Sequence, residues 1–138
     1  MNEADRSRFA LQLEVRDYEC DIEGIVNNAV YLHYLEHARH QFLKSVGLNF
    51  SELTRSGMHL VVVRLEADYL ASLRSGDVFV VGLDVERASR IRVAFRQTIH
   101  RLPERTQMLR ALVIATAVGP NGKPCMPPEL AAAIGGSE

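Results

Sequence analysis

The stretch Val15 to Arg39, VRDYECDIEGIVNNAVYLHYLEHAR, changes its chemistry halfway along. Asp17 to Asn28 carries four acids, Gly24 and two asparagines, the composition of a loop. From Ala29 onward apolar residues return at helical spacing. At about 100° per residue, Tyr31, Tyr34, Leu35, Ala38 and Phe42 fall in one stripe while His33, His37 and His40 gather opposite it. The pattern predicts a helix from about Ala29 to Val46. Asn27 or Asn28 would cap it, a short side-chain oxygen accepting from an otherwise unpaired N–H, and Gly47 would stop it.

On the N-terminal side, Phe9, Leu11, Leu13 and Val15 alternate with Ala10, Gln12, Glu14 and Arg16, the period-2 pattern of a half-buried strand. On the C-terminal side a short helical turn, about Phe50 to Ser56, precedes four β-rich stretches: Met58 to Ala71, Asp77 to Ser89, Arg90 to Leu102 and Gln107 to Val118. The links at Ser75-Gly76, Ala88 to Arg90 and Pro103-Glu104-Arg105 are short enough to predict antiparallel pairing of neighbours. Gly119 to Pro124 reads as a turn and Pro128 to Ile134 as a final helical turn. The order β-α-β-β-β-β predicts an α+β domain, a curved antiparallel sheet of about five strands wrapped around one long central helix. The whole of 1–138 is expected to form this single domain, with its core in 8–128. Long strands in so small a domain leave an edge, so a homodimer or homotetramer is expected.

Composition narrows the function. Of 138 residues, 47% are hydrophobic and 24% charged, enough apolar material for one packed core. The 16 Lys plus Arg balance 17 Asp plus Glu, which argues against nucleic acid as a partner. Met1 to Arg8 is polar and mixed in charge, unlike an export signal. No apolar run approaches the roughly 20 residues that span a bilayer, and Leu60 to Val81 is broken by Arg64, Glu66, Asp68, Arg74 and Asp77. Cys20 and Cys125 share no metal or redox spacing. A cytoplasmic protein with no membrane partner is expected.

Chemistry concentrates in Asp21 to Asn28. A helix start offers unpaired N–H groups and positive dipole, able to receive oxygen that gains negative charge, and Asp21, at the other end of the loop, is a candidate base or nucleophile. Gly24 lets the backbone between them turn with positive φ. Spacing alone favours the plainer alternative, in which Asp21 and the asparagines only cap a turn and a helix. His33-Tyr34-Leu35-Glu36-His37 matches the H-x-x-E-H pattern of inverted zinc proteases, but its histidines lie opposite the apolar stripe and no third ligand stands out, so no metal is expected. Glu36 and Arg39, three residues apart, are placed to pair on that outer face. Arg90, Arg92 and Arg96 fall on one face of a strand from Arg90 to Thr98, a basic patch suited to phosphates or an acidic protein, or simply a solvated surface.

The acid, the G-I-V step, the N-N-x-x-Y helix entry and the E-x-A-R end of Val15 to Arg39 resemble the signature of hot-dog thioesterases of the 4-hydroxybenzoyl-CoA thioesterase type. Leu70 to Val81, LASLRSGDVFVV, resembles a strand and turn of single-hot-dog plant acyl-carrier-protein and methylketone-synthase thioesterases. The resemblance spans roughly Phe9 to Pro128. It implies hydrolysis of an acyl thioester of coenzyme A or acyl carrier protein, with Asp21 as catalytic carboxylate and backbone N–H groups near Asn28 holding the carbonyl. It further implies that Gly24, Ile25, Val26 and Asn27 line the reacting end, that Tyr31 stands near the acyl pocket, and that no cofactor is needed beyond the pantetheine of the substrate. Ser72 stands where relatives often carry proline, and Asn27-Asn28 replaces the Tyr-His pair of another branch. Two other functions share the features: a non-catalytic acyl-thioester-binding protein, and a hot-dog hydratase or dehydratase. The second needs a histidine beside the acid, and none precedes His33.

Overall fold

The computed structural model describes residues 7–135. Its strands are β1 (Phe9–Glu14), β2 (His59–Tyr69), β3 (Val78–Arg87), β4 (Arg92–Leu102), β5 (Thr106–Val118) and the two-residue β6 (Pro124–Cys125). Its helices are α1 (Asn28–Ser45), α2 (Phe50–Arg55) and α3 (Pro128–Ile134). The strands form one antiparallel sheet in the order β1-β3-β4-β5-β2, with β6 beside β5.

Alternation decides which face meets the helix. Phe79, Val81, Leu83 and Val85 of β3, Val93, Phe95 and Ile99 of β4, and Leu109, Val113 and Ala115 of β5 are buried on the inner face. Against them lie Tyr31, Tyr34, Leu35, Ala38, Phe42 and Leu43 of α1. Each large apolar side chain so buried contributes about 1.5–3 kcal/mol relative to exposure, which makes this interface the main source of stability. Asn27 caps α1, its side chain accepting from the Ala29 N–H at 2.9 Å. At the other end Gly47, at φ +93, lets the Leu48 N–H return to the Leu43 carbonyl at 2.8 Å. The α+β architecture agrees with the expectation from sequence.

Three local expectations are corrected. The strands β2 and β3 do not pair with each other: β2 lies on the far side of β5, and β3 lies between β1 and β4. The segment joining them crosses beneath the start of α1, held there by the fully buried Leu73, whose N–H bonds the Tyr31 hydroxyl at 2.8 Å and whose carbonyl accepts from the Val26 N–H at 2.9 Å. Arg90 precedes β4 and sits in the hairpin bend, where its carbonyl accepts from the Arg87 guanidinium at 2.7 Å, so it does not share a strand face with Arg92 and Arg96. Arg39 does not pair with Glu36 on the outside. It is buried, bonds Gln97 at 3.1 Å and lies over the Phe95 ring, while Glu36 lies 3.8 Å from His40. No helix among the described residues is long and apolar enough to cross a membrane.

Candidate active site

The acid-rich loop folds into a small hairpin. The Asp21 N–H bonds the Ile25 carbonyl and the Gly24 N–H bonds the Asp21 carbonyl, both at 2.9 Å, with Cys20 bridged to Val26. Gly24 takes φ +82, the left-handed position that such a turn demands and that a side chain disfavours. Asp21 opens the turn, its Oδ1 accepting from the Glu23 N–H at 2.8 Å. Its Oδ2 accepts no bond among the described residues. Ile22 stands fully exposed at the tip.

The stem of this hairpin is fixed on three sides. The Asn27 N–H bonds the Glu19 carbonyl at 3.1 Å, tying the stem to the cap of α1. Ile25 bridges Arg74, and Val26, buried, bonds Leu73. Beneath the stem the Glu19 carboxylate accepts from the Tyr34 hydroxyl at 2.7 Å, the Arg16 N–H at 2.9 Å and the Arg16 guanidinium at 2.8 Å. Burial works to raise the Glu19 pKa, but these donors outweigh it and hold it below the ordinary carboxylate value. The Tyr34 phenol is pushed strongly upward by burial and by the Glu19 charge, so it remains a donor.

At the helix start the Asn27 side chain takes the Ala29 N–H and its carbonyl takes the Val30 N–H at 2.9 Å. The Asn28 N–H donates to none of the described residues, and its carbonyl accepts from the Tyr69 hydroxyl at 3.1 Å. A donor without a partner thus faces outward at the positive end of an 18-residue helix.

The sequence-derived residues fall into two groups. Asp21, Gly24, Ile25, Val26, Asn27 and Asn28 lie together in the hairpin and the cap. Tyr31 is 3% exposed and its hydroxyl accepts from Leu73, so it holds the crossover segment in place. Arg92 lies at the opposite end of the sheet. The strand β3 starts beside Val15, next to the hairpin, and runs ten residues, about 30 Å, to the bend that holds Arg90. Of the helix histidines, His33 and His37 are exposed, and no cluster among the described residues has three groups placed to hold a metal. Sequence reasoning missed Glu19, Tyr34 and Tyr69. Glu19 was visible as an acid two residues before Asp21, but Tyr34 read only as core and Tyr69 only as strand.

Residues 15–134 match the family model described as the thioesterase-like superfamily. The chain belongs to this superfamily. It is 46% identical over 105 residues to the chloroplastic acyl-acyl carrier protein thioesterase ATL3 of Arabidopsis thaliana, covering 76% of this chain and 55% of that protein. It is 30% identical to the acyl-CoA thioesterase YbgC of Haemophilus influenzae, covering 83% of each. A crystal structure of a hypothetical protein from Aquifex aeolicus superposes with a TM-score of 0.85 at 31% identity, over 91% of this chain and 98% of that one. The chain spans about half the length of the Arabidopsis relative. The architecture is the hot-dog fold of thioesterase-like proteins, as the sequence resemblance implied.

Proposed function

We propose that the chain hydrolyses an acyl thioester carried on acyl carrier protein or coenzyme A. The observation that supports it most is that Asp21 Oδ2 and the Asn28 N–H, at either end of one short hairpin segment, both lack a partner among the described residues. In this reading water attacks the thioester carbon as Asp21 Oδ2 takes its proton, and the Asn28 N–H receives the oxygen that becomes negative. Collapse of the tetrahedral intermediate breaks the C–S bond, and the departing thiolate takes the proton from Asp21. Direct attack by Asp21 on the same carbon, followed by hydrolysis of the anhydride, uses the same two groups. Gly24, Ile25, Val26 and Asn27 set the distance between them. The names of the Arabidopsis and Haemophilus relatives support the choice of thioester.

Asp21, Asn27 and Asn28 are exposed in a single chain, and we assign the covering of the site to a second copy. The edge strand β2 exposes Val61, Val62 (47%), Val63, Leu65 and Tyr69 (48%), an apolar row unusual for an edge facing water. Tyr69 touches Asn28, so antiparallel pairing of β2 with its twin closes the site beside the helix start. That two-fold turns the partner's sheet end for end and brings its Arg90 and Arg92 toward this chain's Asp21, where they suit the phosphates of pantetheine carriers or an acidic carrier surface. A cytoplasmic setting fits the two unlinked cysteines.

The test is release of thiol from acyl-CoA and acyl carrier protein substrates by the wild type and Asp21→Asn. The variant is expected to lose at least about 100-fold in turnover while keeping its fold. Near-normal turnover in Asp21→Asn refutes the assignment, and binding without thiol release by the wild type makes the chain a thioester-binding protein instead.

A further inference from the structure

We propose that Glu19 is a positioning residue for Asp21, acting through a clamp with Tyr34 and Arg16; the proposal rests on the catalytic reading of Asp21 given above. Glu19 is an unusual carboxylate for a loop. Its side chain is only 10% exposed, and it gathers three donors from two elements: the Arg16 N–H and guanidinium from its own loop, and the Tyr34 hydroxyl from the second turn of α1. Tyr34 itself is 4% exposed and is held in edge or tilted contact with Tyr31 and Phe79, so its hydroxyl is a fixed point. The side chain of Glu19 therefore fastens the base of the hairpin to the rigid helix.

That fastening is aimed at Asp21 by the backbone. Cys20, the single residue between them, is extended, at φ −97 and ψ 151, and bridged to Val26, so the hairpin that carries Asp21 begins directly after Glu19. The Glu19 carbonyl in turn holds the Asn27 N–H, one residue before the Asn28 amide. One residue thus ties the strand that carries the acid to the helix that carries the unpaired donor, by its side chain to Tyr34 and by its main chain to Asn27. No other side-chain carboxylate among the described residues is bonded to α1 from the hairpin. Arg16 is largely exposed and serves to keep the Glu19 carboxylate charged and oriented toward the phenol. Displacing a catalytic group by about 1 Å costs on the order of 100-fold in rate, so a tether of this kind acts on turnover more than on affinity.

The experiment measures kcat, KM and Tm for Glu19→Gln, Tyr34→Phe and the double variant, each alone and combined with Asp21→Asn. Both single variants keep side-chain volume in a packed site, so folded protein is expected, with Tm lowered only by the loss of the Glu19 charge or its phenol donor. Each single variant is expected to lose roughly 10-fold or more in kcat with KM within about twofold, and the double variant to lose little beyond the worse single one. In the Asp21→Asn background neither substitution lowers the residual rate further. Wild-type kcat in Glu19→Gln and Tyr34→Phe, with Tm lowered or not, overturns the clamp while leaving Asp21 catalytic, provided Asp21→Asn is inactive. Full activity in Asp21→Asn overturns the catalytic reading itself, and the clamp with it.

Discussion

At the scale of single residues, Glu19 shows how a half-buried, hydrogen-bonded carboxylate makes stability depend on pH. Its folded pKa lies below the ordinary value of 4.5 because the Arg16 and Tyr34 donors outweigh the effect of burial. A carboxylate with depressed folded pKa contributes stability that is complete above its unfolded pKa and is lost as pH falls through the folded one. The difference in Tm between wild type and Glu19→Gln should therefore be constant above about pH 5 and shrink as pH drops below about 4.5. Thermal melts of both proteins from pH 7 to pH 3 check this; a gap that persists unchanged at the acid end would show that the carboxylate charge contributes nothing. The turn that Asp21 opens and the cap at Asn27 were legible in the sequence, because an acid, a glycine and a pair of asparagines at that spacing favour turning and capping. Glu19 was not, because a second acid in an acidic loop looks solvated until its partner is known, and Tyr34 lies fifteen residues away on a face that periodicity assigns to the core.

At the scale of elements, a polar cluster centred on Gln97 joins α1 to the sheet inside an otherwise apolar interface. The Gln97 side chain donates from Nε2 to the Leu35 carbonyl at 3.0 Å and accepts the Arg39 guanidinium at 3.1 Å, while burial lowers the Arg39 pKa. Gln97→Leu leaves a buried guanidinium without its acceptor, which costs about 2–4 kcal/mol. Arg39→Met removes the charge along with its desolvation and leaves a neutral amide oxygen unpaired, at about 1–2 kcal/mol. Urea unfolding of the two variants should rank Gln97→Leu as the less stable; the reverse order would mean that the guanidinium reaches water and does not depend on Gln97. The helix itself was plain in the sequence, since the apolar spacing, the Asn27 cap and the Gly47 stop agree. The place of Arg39 was not, because 3.6-residue periodicity puts it at the boundary of the stripe, where a long side chain turns either way. Strand pairing was legible only where a tight link joins neighbours: β3 to β4 and β4 to β5 pair, but the run from Leu70 to Asp77 is held by Leu73 and Tyr31 as a crossover, which local turn residues do not reveal.

At the scale of the whole molecule, the proposed dimer joins residues that one chain keeps apart. Within a chain Asp21 and the Arg90–Arg92 bend sit at opposite ends of the sheet, yet β2 offers an apolar edge whose antiparallel self-pairing superposes one end of each sheet on the other end of its twin. If carrier binding uses the partner's arginines, a variant with Arg90→Glu and Arg92→Glu loses kcat/KM toward the carrier substrate although its own Asp21 is intact. An Asp21→Asn chain fails for the complementary reason. Refolding the two defective chains together in equal amounts gives mixed dimers for about half of the population, each with one site that has an intact Asp21 from one chain and intact arginines from the other. Thiol release should then recover to about a quarter of the wild-type rate, far above either variant alone. No recovery on mixing, with dimers confirmed by mass in solution, would place the arginines outside the partner's site, and a monomeric mass for the active wild type would remove the two-fold arrangement altogether.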